Sequence, residues 1–161
     1  MALWLSACSH VSAPSHSTTI SREAGTWALL PFKNLAETPK AAERAESIVS
    51  SILFAKGYQT THYPAQNEDD LVLLLDDNKR LENARKWAQQ QGYRYGITGD
   101  VTEWRYKTGL EADPSVGITV SIIDLQKGNV IYNQTGSKVG WGYSNLSSTA
   151  QSLLQKLLSG I

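Results

Sequence analysis

Tyr93-Arg94-Tyr95-Gly96-Ile97-Thr98-Gly99-Asp100-Val101-Thr102-Glu103-Trp104-Arg105-Tyr106 is the stretch on which the fold turns. It reads as a strand, and two more strand-like runs follow it closely. Val116 to Asp124 alternates Val116, Ile118, Val120 and Ile122, and Val130 to Val139 comes after a Lys127-Gly128 turn. Three such runs in sequence predict an antiparallel meander. Beyond them Leu146, Ala150, Leu153, Leu154, Leu157 and Leu158 recur on one helical face, with Ser144 or Asn145 as the candidate N-cap. That spacing predicts an amphipathic helix closing over the sheet.

Upstream the pattern changes. Thr26-Trp27-Ala28-Leu29-Leu30-Pro31-Phe32 is a short apolar run interrupted by proline, the signature of a buried strand. From Ala41, apolar residues at Ala45, Ile48, Val49, Ile52 and Leu53 mark one face of a helix that ends at Gly57. Gln59 to Tyr63 reads as a second strand, and Asn78 to Gln91 as a polar helix. Between them the run from Leu71 to Leu75, flanked by Glu68-Asp69-Asp70 and Asp76-Asp77, fits helix and strand equally. The expected fold is a single α/β (α+β) domain with a central, mostly antiparallel sheet and packed helices, in the order β-α-β-α-β-β-β-α.

Composition narrows the function classes. The 161 residues carry 15 basic and 15 acidic side chains, so the net charge is zero and no global field draws the chain to nucleic acid. With 41% hydrophobic and 19% charged residues the chain is globular in character, and no apolar run reaches the length of a membrane span. A single cysteine, Cys8, excludes an intrachain disulfide. Its context is informative: Leu5-Ser6-Ala7-Cys8 matches the bacterial lipobox, in which small residues precede the acylated cysteine. Cys8 is therefore the expected lipid attachment site, with fatty acyl chains supplying ~0.8 kcal/mol per buried methylene. Ser9, in place of aspartate, points to the outer membrane. Met1-Ala2-Leu3-Trp4 is short for a signal peptide and lacks its positive end, so residues 1–7 read as a truncated signal remnant behind a start site set too late. Residues 8–22, rich in Ser and Thr, read as a lipidated flexible tether, and 23–161 as the α/β domain.

Signs of catalysis are sparse. The sequence has no G-x-S-x-G elbow, Walker loop, dinucleotide fingerprint or H-E-x-x-H motif, and no cofactor or metal is expected. His10 and His16 lie in the tether without a partner at metal-ligand spacing, and His62 is the one histidine of the domain. Asp100 and Glu103, three apart in a strand, are expected on opposite faces, which suits a shared catalytic site poorly. Glu111 and Asp113 lie in the loop Gly109-Leu110-Glu111-Ala112-Asp113-Pro114, where acids are commonly just solvated. Repeated around a ring, they would form an acidic collar. Five Trp and seven Tyr against two Phe favour surfaces with one wet and one apolar side. The Gly140-Trp141-Gly142-Tyr143-Ser144 segment fits an exposed, membrane-facing Trp141 or a core indole between tight turns.

Taken together, the lipobox, the opening strand from Trp27 to Phe32 with its helix, Gly99-Asp100-Val101-Thr102-Glu103-Trp104, the strand Val116 to Asp124, and Gly140-Trp141-Gly142 before a Leu-rich helix resemble the PelC family. These are outer-membrane lipoproteins of the Pel exopolysaccharide secretion system. The resemblance implies no enzyme but a dodecameric ring on the periplasmic face of the outer membrane, guiding a cationic amino-sugar polymer to an outer-membrane β-barrel exporter. Asp113 and Glu111 would then guide the polymer and Trp141 would meet outer-membrane lipid. The alternatives are a regulatory lipoprotein that activates a cell-wall synthase and, third, a polysaccharide hydrolase.

Overall fold

The computed structural model describes residues 10, 11, 20, 22, 23, 26–64, 76–109 and 112–161. Cys8, Glu111, His16, the Glu68-Asp69-Asp70 acids and the Leu71 to Leu75 run lie outside them. The elements are β1 (His10–Val11), β2 (Trp27–Leu29), β3 (Lys33–Asn34), α1 (Ala41–Ala55), β4 (Thr60–His62), α2 (Asp77–Gln90), β5 (Tyr95–Tyr106), β6 (Pro114–Asp124), β7 (Asn129–Val139) and α3 (Leu146–Leu157). All described strands join one sheet, ordered β1-β7-β6-β5-β2-β4, with β3 also paired to β5. The expected order of elements holds, with the very short β1 and β3 added.

The long ladders are the antiparallel meander β5-β6-β7. The short strands β2, β3 and β4 pair in parallel, because α1 and the α2 segment carry the chain back across the sheet between them. β2 lies between β5 and β4 with both faces covered, which is why its residues form an unbroken apolar run. Trp27 and Leu29 face the main core, built with α1 and α3. Ala28 and Leu30 face a second cluster in which α2 contributes Leu81, Ala84 and Ala88. Trp27 sits 5.0 Å from both Tyr58 and Tyr95, so the aromatic surplus is partly a matter of core packing.

The α3 helix begins as its sequence requires. Asn145 accepts a hydrogen bond from the Ser148 N–H, and the Ser148 hydroxyl takes the Asn145 N–H in return, a reciprocal capping box. Its buried stripe, Ala150, Leu153, Leu154 and Leu157, lies over β6 and β7.

Between β2 and β3 the chain leaves backbone groups without ladder partners, and charged side chains take them. Glu46 of α1 accepts the Phe32 N–H at 2.8 Å, while Arg80 of α2 donates to the Phe32 carbonyl at 3.1 Å. Asp77 accepts the Asn34 N–H at 2.9 Å and lies 3.8 Å from Arg80. Burial pushes the Glu46 carboxyl up to about 7, against the opposing pull of the Phe32 N–H and the Arg80 charge.

Among the described residues of the segment expected as a tether, His10–Val11 pairs antiparallel with β7, His10 opposite Ser137 and Val11 opposite Gly136, Ile20 packs against the main core, and Arg22 donates to the Tyr58 hydroxyl at 3.3 Å.

Candidate functional site

Among the described residues, one end of the sheet gathers most of the exposed aromatic side chains, Tyr106, Trp141 and Tyr143. β5 ends there at Tyr106, opposite the first residue of β6, Pro114. β7 ends beside it, Val139 opposite Ser115, and the chain then turns through Trp141 into α3. Trp141 is 70% exposed and Tyr143 fully so, whereas Trp27 and Trp104 are buried. The indole stands outside the core.

Two glycines hold it there by different means. At Gly140 there is no room for a side chain: a Cβ would come within 2.5 Å of both the Pro114 ring and the Thr149 hydroxyl. Its N–H donates to the Pro114 carbonyl at 2.7 Å, clamping the root of the loop to β6. Gly142 takes a left-handed φ of 62° inside a tight turn closed by the Ser144 N–H on the Trp141 carbonyl. The Ser144 hydroxyl donates to that same carbonyl at 2.6 Å. Trp141 and Tyr143 flank the bend and project from it.

Asp113 is the next-door neighbour of this loop. Its carbonyl accepts the Lys107 N–H at 2.8 Å, closing the β5–β6 connection, and its side chain is half-buried. Asp113 precedes Pro114 and Trp141 follows Gly140, so their Cα atoms lie within roughly 13 Å of each other. The sequence treats the two as separate loops with separate roles. In the fold they share one rim.

The second carboxylate pair needs correction. Pairing shifts from Val101 opposite Ile118 to Glu103 opposite Gly117, so Thr102 is the extra residue of a β-bulge. Val101 and Trp104 both reach the main core, and Thr102 and Glu103 both turn away from it. Asp100 and Glu103 thus share the outer face instead of opposing each other. Burial works to raise the Glu103 carboxyl, but hydrogen bonds from Ser115 and Arg105, with the Arg105 and Lys107 charges, hold it below its ordinary value. A glycosidase acid needs the reverse, a carboxyl kept protonated. On the same face, toward β7, Thr119 and Thr135 hydroxyls bond at 2.9 Å and Ser121 donates to Asn133 at 3.4 Å.

Two features have no signal in the sequence. The β3–α1 connection and the bulge enclose an open cleft of about 530 Å³ lined by Leu35, Glu37, Thr38, Thr102, Glu103 and Arg105 among others. His62 lies 3.0 Å from the Ser50 hydroxyl, but both are on the surface, and among the described residues no carboxylate bonds to that imidazole. Described residues also contain no cluster of three or more His, Cys, Asp or Glu able to hold a metal. No described helix is long and apolar enough to cross a membrane.

These observations define the class: a single α/β module with the exposed Trp141 and Tyr143 and the half-buried Asp113 along one rim of its sheet. No family profile and no curated protein sequence matches the chain. Solved structures do. The PelC dodecamer from Paraburkholderia phytofirmans is 35% identical, with 95% of this chain and 96% of that one covered and a TM-score of 0.78. A point variant of that dodecamer in another crystal form gives 34%, 97%, 98% and 0.77. The lipoprotein GNA1162 from Neisseria meningitidis, 14% identical with a TM-score of 0.58 over 83% of this chain and 94% of that one, shares the fold. At this identity over nearly its whole length, the chain belongs to the PelC family.

Proposed function

We propose that this protein is an outer-membrane lipoprotein, anchored through Cys8, whose copies close into a ring on the periplasmic face and guide a cationic exopolysaccharide toward a β-barrel exporter. The observation that carries this reading is the likeness to the PelC dodecamer, which spans 95% of the chain with a TM-score of 0.78. A ring multiplies the charge of every subunit, so a neutral protein acquires a strong local field wherever its acids converge. Asp113, with Glu111, would supply that field, and a sliding polymer is served by weak, screened, repeated attraction. Trp141 and Tyr143, projecting from the same rim, suit the headgroup region, where amphipathic rings accumulate. Because the rim is shared, the acidic collar in this reading lies at the mouth of the ring nearest the membrane.

Sedimentation of residues 9–161 tests the assembly: a closed multi-subunit species is expected, and a strict monomer at high concentration overturns the ring. Asp113→Lys tests the collar. Export of the polymer should fall while ring size and membrane association stay unchanged, and unimpaired export would remove Asp113 from the path. Replacement of Cys8 by serine behind a complete signal peptide should abolish fatty-acid labelling and release the protein from the outer-membrane fraction.

A further inference from the structure

We infer that β1 is the fixed end of the membrane anchor: by adding to the edge of β7 it holds the N-terminus at the Trp141 rim and sets the pose of each subunit against lipid. The inference rests on the reading that Cys8 is acylated. β7 has β6 on one side, and β1 covers part of the other. Since the pair is antiparallel, with Val11 opposite Gly136 and His10 opposite Ser137, the chain before His10 leaves toward Val139 and the Trp141 loop. Cys8 is two residues from His10 and lies within about 7 Å of it in any conformation. Trp141 is four residues from Ser137, within about 14 Å.

Without β1, the next described contact of the chain with the domain is Ile20 on the main core, and the path from Cys8 to it is 20 − 8 = 12 residues, or up to about 40 Å of chain. A leash of that length sets a distance from the membrane but leaves the domain free to turn. Strand addition removes that freedom through main-chain hydrogen bonds, which make few demands on side chains. The sequence is suited to a strand of this short extent. Val11 is the one large aliphatic residue between Cys8 and Ile20, and Pro14, lacking an N–H, would end a ladder. The partner this edge positions is a lipid surface, met by acyl chains and aromatic rim together.

The test uses the full chain with its export signal and Cys8. In the double variant His10→Cys/Ser137→Cys, directly opposed positions lie within disulfide range, and an intrachain bond should form in an oxidising compartment. The control pair His16→Cys/Ser137→Cys should not form one. A second experiment inserts six Gly/Ser residues either between Ser9 and His10 or just after Ser12. With Tyr143→Cys as reporter, labelling by a bulky hydrophilic maleimide on opened outer-membrane sheets, whose periplasmic face is accessible, should rise severalfold for the first insertion and stay unchanged for the second. Equal effects of the two insertions, absence of the disulfide, or a disulfide only between different copies would overturn the inference. Fatty-acid labelling separates the two readings: the disulfide without acylation refutes the lipid anchor and not the strand.

Discussion

Replacing Glu46 by glutamine should make the protein more stable, and only above acidic pH. Glu46 is needed for its acceptor oxygen, which takes the Phe32 N–H at 2.8 Å, and glutamine offers the same oxygen without the charge. Burial raises the carboxyl from 4.5 to about 7 in the folded protein. The unfolded chain therefore releases its proton first. Below pH 4.5 both states are protonated and nothing is lost; between 4.5 and 7 stability falls by about 1.4 kcal/mol per pH unit; above 7 the loss is constant. Over that interval the cost amounts to about 3 kcal/mol at pH 8. Glu46→Gln should match wild type near pH 4 and exceed it at pH 8 by about that amount, a urea midpoint shift on the order of 1–2 M. The assay is urea unfolding from pH 4 to 8 at one protomer concentration, since assembly would otherwise add its own stabilisation. Because the quantity read is the difference between variant and wild type, titrating groups that do not interact with Glu46 cancel. A difference that does not change with pH would refute the reasoning.

Gly140→Ala places a methyl group against the Pro114 ring and the Thr149 hydroxyl, so the isolated domain should lose about 1–3 kcal/mol, or roughly 3–10 °C in Tm by calorimetry. An unchanged Tm would show that the clamp has slack. Trp141→Ala removes an exposed ring, so stability should stay within about 0.5 kcal/mol while binding to anionic vesicles weakens. Unfolding of that variant would place the indole in the core, and undiminished vesicle binding would take it off the membrane.

Hydropathy patterning reaches as far as regular elements packed on one face or both. Val116, Ile118, Val120 and Ile122 announce β6 because the face opposite them is polar, and the α3 stripe is visible for the same reason. Patterning fails where the backbone breaks its own period. The bulge at Thr102 is one inserted residue in a ladder, with no composition signal, and it turns Glu103 to the face that simple alternation denies it. β1 is two residues long, too short for any period, and its partner lies in β7, far along the chain. Whether Trp141 is exposed is undecidable in sequence because glycines on both sides fit either outcome. The packing of Gly140 on Pro114 and Thr149 decides it, and that contact joins three separate elements.

The central place of β2 has a consequence for the order in which the domain is built. Its partners are Thr60 to His62 on one side and Tyr95 to Ile97 on the other, so the first strand of the domain is laid down long before one of its neighbours exists. The β5-β6-β7 ladders, by contrast, join neighbours in sequence through short connections, and contacts of that kind close quickly. We predict that the meander with α3 forms the folding nucleus and that β2 slides into its slot afterwards, an arrangement in which the earliest part of the domain to emerge during synthesis is the last to find its seat. Mutational analysis of refolding rates would show it: Ile118→Val should slow folding, Ala28→Gly should chiefly speed unfolding, and the reverse pattern would sink the idea.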